Sequence, residues 1–136
     1  AQGNGQYNIN GGFNNSGTFS PGTSTVTLER SIVPYFAAIT GSSNFYNLTI
    51  NQPFGGEVIL GGDQTISNEL TMFSGNIDLN EFDIELVGNG TIIGESSNSY
   101  IYGDNGVVKK TLDLNAPSAA NPGNIGAAIT SAATFA

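Results

Sequence analysis

Residues 47–72 read NLTINQPFGGEVILGGDQTISNELTM, and this stretch contains the same apolar-polar-apolar triplet twice. Leu48-Thr49-Ile50 stands near its start, and Leu70-Thr71-Met72 closes it. Alternation with a period of two predicts a strand that buries one face. A third apolar run, Val58-Ile59-Leu60, lies between the triplets and is flanked by Gly-Gly turns. The stretch therefore predicts a repeating unit of short strands without a helix.

The 22-residue interval from Leu48 to Leu70 continues outward in both directions. Five apolar residues share it: Val26, Leu48, Leu70, Ile92 and Leu114. A constant interval of this size indicates coils that stack on one another. We predict an all-β parallel β-helix, or β-solenoid, with coils of about 22 residues. Its repeated apolar residues stack inside, while Thr49 and Thr71 face the solvent.

An antiparallel β-sandwich is the alternative fold, because turn signals at short and regular spacing also mark that architecture. A sandwich has no physical reason to keep a 22-residue interval, so the solenoid is favoured. We predict three regions along the chain. Residues 1–24 form a first strand or cap, residues 25–115 form the coils, and residues 116–136 form a tail rich in Ala, Pro and Gly or begin a continuing module.

The composition excludes several kinds of chemistry. The 136 residues include no Cys, His or Trp, which rules out disulfides, a thiolate nucleophile, a Cys/His zinc site and an imidazole base. The chain has eleven acidic and three basic residues, for a net charge of -8. We therefore expect no nucleic-acid partner, since phosphate binding draws on clustered Lys and Arg. No apolar run approaches the roughly 20 residues of a membrane helix, so we expect no membrane insertion.

Four carboxylates are the residues that most resemble a catalytic site. Asp78, Glu81, Asp83 and Glu85 lie close together in the sequence. Paired carboxylates hydrolyse glycosidic bonds when one of them is kept protonated. Sites of that kind on β-helices also use Arg, Lys or His, which this stretch lacks. We therefore interpret the four as outward, solvated positions, and we predict no catalytic residue.

Calcium and sugars are the two ligands that single residues suggest. Asp63, Asp104 and Asn105 stand in Gly-rich turns and are the candidate calcium ligands, because calcium binds carboxylate and amide oxygens. Neither turn has the spacing of a known calcium loop, and Asp and Asn before Gly are ordinary turn residues. Tyr100 and Tyr102 are the candidate glycan-stacking residues, because residues two apart on a strand share a face.

Several short segments together resemble a unit repeated in very large secreted surface proteins of the Bacteroidota. They are GFN (12–14), GTF (17–19), PGTSTVT (21–27), FYNLTIN (45–51), LTM (70–72), SGNIDL (74–79), SYIYG (99–103) and PGNIG (122–126). The resemblance implies export by the type IX route, a place at the cell surface, and an adhesin-like role similar in style to gliding-motility adhesins. It carries no catalytic residue. A Trp often found near the start of such units is missing here.

These observations predict a structural or adhesive repeat module of an extracellular surface protein or filament, without catalytic activity. The expected partners are neighbouring repeats or other copies of the chain, the secretion and cell-surface machinery, and surface glycans. Two alternatives stay open. One is a carbohydrate-binding or carbohydrate-active β-helix, and the other is a fibre subunit that assembles head to tail.

Overall fold

All the ladders between strands are parallel in the computed structural model, which describes residues 3–112, 118 and 120–130. The ladders belong to two sheets, and the chain crosses repeatedly from one to the other as it advances. This arrangement is a β-solenoid of about five coils, which confirms the predicted fold. A sandwich is excluded, because its sheets consist of antiparallel strands.

The two sheets form the walls of the solenoid. The first sheet contains β1 (Gln6–Asn10), β3 (Thr25–Glu29), β5 (Ser43–Asn51), β7 (Gln64–Ser74), β9 (Ile84–Leu86), β10 (Thr91–Ile93) and β12 (Val108–Lys110). The second sheet contains β2 (Phe13–Asn14), β4 (Phe36–Thr40), β6 (Glu57–Gly61), β8 (Asn76–Asp78) and β11 (Ile101–Tyr102). The long β7 pairs with β9 along its first half and with β10 along its second.

The 22-residue interval of the sequence is one row of the first sheet. Val26 pairs with Leu48, Leu48 with Leu70, and Leu70 with Ile92. Each of these four side chains is at most 1% exposed, so they form a continuous apolar stack inside the solenoid. The Thr residues beside them point outward and are half-buried by their neighbours along the ladder. Leu114, the fifth residue of the interval, lies outside the described residues.

The second sheet does not keep a constant interval. Ile39 pairs with Leu60, and Val58 pairs with Ile77, which is a shorter step along the chain. Ile77 then pairs with Ile101, and this step is the longest of the three. The corner loops absorb these differences in length, so the inner stack is preserved. The fixed 22-residue interval is therefore a property of one row of the first sheet, from Val26 to Ile92.

Buried glutamines and a glycine with positive φ shape the corners between the walls. Gln52 is 0% exposed, and its side-chain Nε2 donates to the carbonyl of Leu28 on the neighbouring coil at 3.0 Å. Gln64 donates to the carbonyl of Gly62 at 2.6 Å. Gly75 has φ +81°, and a Cβ there would lie 2.6 Å from the Gly56 carbonyl oxygen. Only glycine fits that position without displacing backbone.

The two ends of the solenoid differ. At the first coil, the half-buried rings of Phe13 and Phe19 pack edge-on or tilted against the buried ring of Phe45, with centroids 5.2 Å and 5.7 Å away. At the other end, part of the predicted tail folds back over β10. There the side-chain amide of Asn124 donates to the carbonyl of Ile92 at 2.8 Å, and Ile125 packs against the core. Asn124 and Ile125 thus pack against that strand and the core.

We expect Leu48→Ala to lower the free energy of unfolding by about 2–5 kcal/mol, because it leaves a cavity inside the stack. Thr49→Ala on the same strand removes only an outward side chain, so its effect should stay within about 1 kcal/mol. Urea denaturation followed by circular dichroism measures both. Equal losses for the two variants would contradict the inward and outward assignment.

Candidate binding surface on the second sheet

The outer face of the second sheet carries two parallel rows of side chains. The register places the rows as follows: Phe36, Glu57, Asn76 and Tyr100 in the first, and Ala38, Ile59, Asp78 and Tyr102 in the second. Adjacent members of a row belong to successive coils and lie about 4.8 Å apart. The sheet thus brings aromatic rings, carboxylates and an amide from four coils onto one surface.

Tyr100 and Tyr102 form an exposed aromatic pair at one end of these rows. Their ring centroids are 5.7 Å apart, and the ring planes are inclined at 51°. The side chains are 42% and 39% exposed. The structure therefore brings together the two residues proposed from the sequence, and leaves both rings open to solvent.

A hydrogen bond fixes the orientation of Tyr102. Its hydroxyl donates to Oε2 of Glu57 at 2.5 Å, across 45 residues of sequence. Glu57 lies on β6 and Tyr102 on β11, with β8 between them. The ring of Tyr102 must therefore extend along the sheet and across β8 to reach the carboxylate. The bond also raises the pKa of the Tyr102 phenol above its ordinary value of 10.0, with burial as a smaller cause.

A cleft of about 150 Å³ opens beside Tyr102. Its lining combines the phenol ring with polar side chains and a glycine: Asp78, Asn80, Tyr102, Gly103, Asp104 and Asn105. Asn80 has φ +55°, and its backbone N–H donates to Oδ1 of Asp78 at 2.8 Å, which closes the turn after β8. The cleft therefore combines carboxylate and amide groups with an aromatic residue.

The three candidate calcium ligands do not share one place. Asp104 and Asn105 line the cleft, but Asp63 lies at a turn two coils earlier, where its Oδ1 accepts the backbone N–H of Asp83 at 2.9 Å. The described residues contain no group of three or more acidic side chains arranged to hold a metal ion. Asp63 instead acts as a turn residue that binds the backbone of the next coil.

The four clustered carboxylates are also distributed over different places. Asp78 lies on the outer face of the second sheet, Glu85 lies on β9 of the first, and Glu81 is exposed in the turn between them. Asp83 accepts the backbone N–H of Val107 at 3.0 Å and pairs with Lys109 at 3.0 Å. These contacts lower the pKa of Asp83. Its two oxygens bind the next coil of its own chain.

Sequence reasoning did not identify Glu57 as part of this surface. It stands 45 residues before Tyr102 in a run that reads as an ordinary strand. Alternation along that run does indicate the face on which Glu57 lies. Neighbouring side chains of a strand point to opposite faces, so Glu57 lies on the outer face because Val58 is buried. Its proximity to Tyr102 depends on the register of three strands, which no local pattern specifies.

We expect alkaline titration of the tyrosine absorbance to contain a late component from Tyr102, and Glu57→Gln to move that component toward lower pH. The raised pKa means that this phenol stabilises the fold fully below about pH 10, and that the contribution is lost as the pH rises through the folded-state pKa. Glu85→Gln, on the first sheet, is the control and should leave the titration unchanged. An identical titration of Glu57→Gln and the original chain would disprove the contact.

Comparison with known proteins identified no relative. No family, no curated protein and no solved structure matches the chain. Among the residues that the structure describes, no helix has the length and apolar character needed to cross a membrane. The role of the surface must therefore be inferred from its own geometry.

Proposed function

We propose that this chain is a structural and adhesive repeat module of an extracellular surface protein, and that it has no catalytic activity. The observation that carries the proposal is the unbroken inner stack from Val26 to Ile92, held in register by parallel ladders. A fold of this kind builds length, because each coil contacts only the coils beside it.

The coil-to-coil contacts suit a module that bears load. Force along the solenoid axis acts on all the backbone hydrogen bonds between two coils at once, and on the buried side chains packed across the same boundary. Outward side chains add further links, since Asn47 donates to Thr25 at 3.1 Å and Asn68 donates to Asn47 at 2.7 Å. Separating two coils therefore requires many interactions to break together.

The composition supports the extracellular part of the proposal. Gly, Asn, Ser and Thr make up 61 of the 136 residues, and the structure uses many of them in corner turns and on outer faces. The chain has a net charge of -8 and needs no reduced thiol. The resemblance to repeat units of secreted Bacteroidota proteins supports export by the type IX route and a link to gliding adhesins.

Neighbouring repeats or other copies of the chain are the proposed partners at the first coil. Within the described part of the chain, β1 is an edge strand of the first sheet, and a hollow of about 540 Å³ lies beside it, lined in part by Tyr7, Ile9 and Phe13. An edge strand offers unpaired backbone groups to another strand. At the opposite end, β12 and β11 are the edge strands of the two sheets, so a fibre subunit that assembles head to tail stays the alternative to a module.

We expect an antibody raised against this chain to label intact cells of the organism that encodes it. Labelling should disappear in a strain that lacks type IX export, while the protein accumulates inside the cells. An antibody against a cytoplasmic enzyme serves as the control for cell integrity. Labelling seen only after lysis of otherwise normal cells would overturn the extracellular assignment.

A further inference from the structure

We propose that the outer face of the second sheet binds an uncharged polysaccharide, with Tyr100 and Tyr102 as the stacking platform and the adjoining cleft as the site for one sugar ring. This proposal names the class of ligand for the proposed adhesive role. It rests on that role only for its biological setting. Binding itself is a property of the isolated chain, so it is tested separately from export.

The aromatic pair offers a stacking surface for sugars. Sugar rings present C–H groups that pack against aromatic faces, and Tyr offers a large apolar face with a polar tip. The contact with Glu57 holds Tyr102 along the sheet before any ligand arrives, which reduces the ordering cost of binding. The two rings are inclined at 51°, so they cannot both lie flat against one rigid planar molecule. A chain of rings joined by rotatable bonds can follow that angle.

The cleft beside Tyr102 supplies hydrogen-bonding groups. Asp78 and Asp104 bring carboxylate oxygens, and Asn80 and Asn105 bring amides, to the cleft that Tyr102 also lines. Carboxylates accept hydrogen bonds, and amides both donate and accept them, so the set matches the hydroxyl groups on the rim of a sugar. Its volume of about 150 Å³ suits a single sugar ring and is too small for a folded peptide segment.

The acidic residues around Tyr102 restrict the class of ligand. Glu57 and Asp78 are both close enough to disfavour ionisation of the Tyr102 phenol, and Asp104 lines the same cleft. An anionic ligand would face like charges here, and the cleft lining includes no basic residue. The three basic residues of the chain donate to other partners: Arg30 to Ile32, Lys109 to Asp83, and Lys110 to Gly88 and Gly90. The surface therefore selects against uronic-acid and sulfated polymers.

The surface extends over several coils. Phe36, 51% exposed, begins the row that ends at Tyr100. Three steps of about 4.8 Å separate them, a span of roughly 14 Å. Several linked sugars would fit along it, with Glu57 and Asn76 beneath them. Affinity should therefore increase from a monosaccharide to an oligosaccharide.

The test is calorimetric titration of the purified chain with neutral glucans, mannans and their oligosaccharides, beside alginate, heparin and oligolysine. We expect at least one neutral polymer to bind and the two anionic polymers not to bind. Tyr102→Ala should weaken the binding about tenfold or more, the scale expected for losing an aromatic contact and the groups that it orders. Tyr102→Phe keeps the ring and should lose less.

Phe73→Ala is the matched control, because Phe73 is an aromatic residue of the first sheet with 73% exposure. It should bind the polymer as the original chain does. Phe36→Ala should weaken oligosaccharide binding without changing monosaccharide binding. Circular dichroism of each variant verifies that the solenoid is intact.

Four results of the polysaccharide titrations would overturn the proposal. They are the absence of binding to every neutral polymer, equal losses for Phe73→Ala and Tyr102→Ala, binding of alginate or heparin at this surface, and a calcium requirement revealed by a chelator. Oligolysine binding that Asp78→Asn abolishes would assign the surface to basic peptides instead. Lack of glycan binding together with normal surface labelling would remove this proposal alone, whereas glycan binding without surface labelling would remove the extracellular assignment alone.

Discussion

The parallel register between successive coils is the constraint on which the rest of the structure depends. Each backbone ladder fixes which residue of one coil lies above which residue of the next, so a side chain must be compatible with both neighbours in its row. Val26, Leu48, Leu70 and Ile92 meet that condition inside the solenoid. A slip of one residue in any coil would turn its apolar side chains outward, and the inner stack therefore holds the register in place.

The same register creates the outer surface. Residues that are far apart in the chain become neighbours because their strands are adjacent, and rigid strands hold them at a fixed spacing. Glu57 and Tyr102 meet in this way across β8. A surface built on strands is more precisely ordered than one built on loops. The sheet thus holds Glu57, Asp78 and Tyr102 on its strands β6, β8 and β11.

The turns are polar for a structural reason. Every corner exposes backbone groups that the ladders do not satisfy, and side chains of the adjoining coil take up some of them. Asp63 accepts the N–H of Asp83, Asp83 accepts that of Val107, and Gln52 donates to the Leu28 carbonyl. These contacts give Asp63 and Asp83 structural roles at the corners. They also explain why so much Asn, Asp and Gly is compatible with an ordered fold.

The sequence by itself determined the class of fold, the direction of the repeated side chains and the chemistry that is excluded. Strand alternation follows from local geometry, and the 22-residue interval is visible directly in the order of residues around Leu48 and Leu70. Only the tertiary structure decided which outward residues meet. In the second sheet the interval between paired residues changes from coil to coil, because corner loops of different lengths reset it. The contact between Glu57 and Tyr102, and the cleft beside it, depend on those loop lengths, and no periodic pattern in the sequence records them.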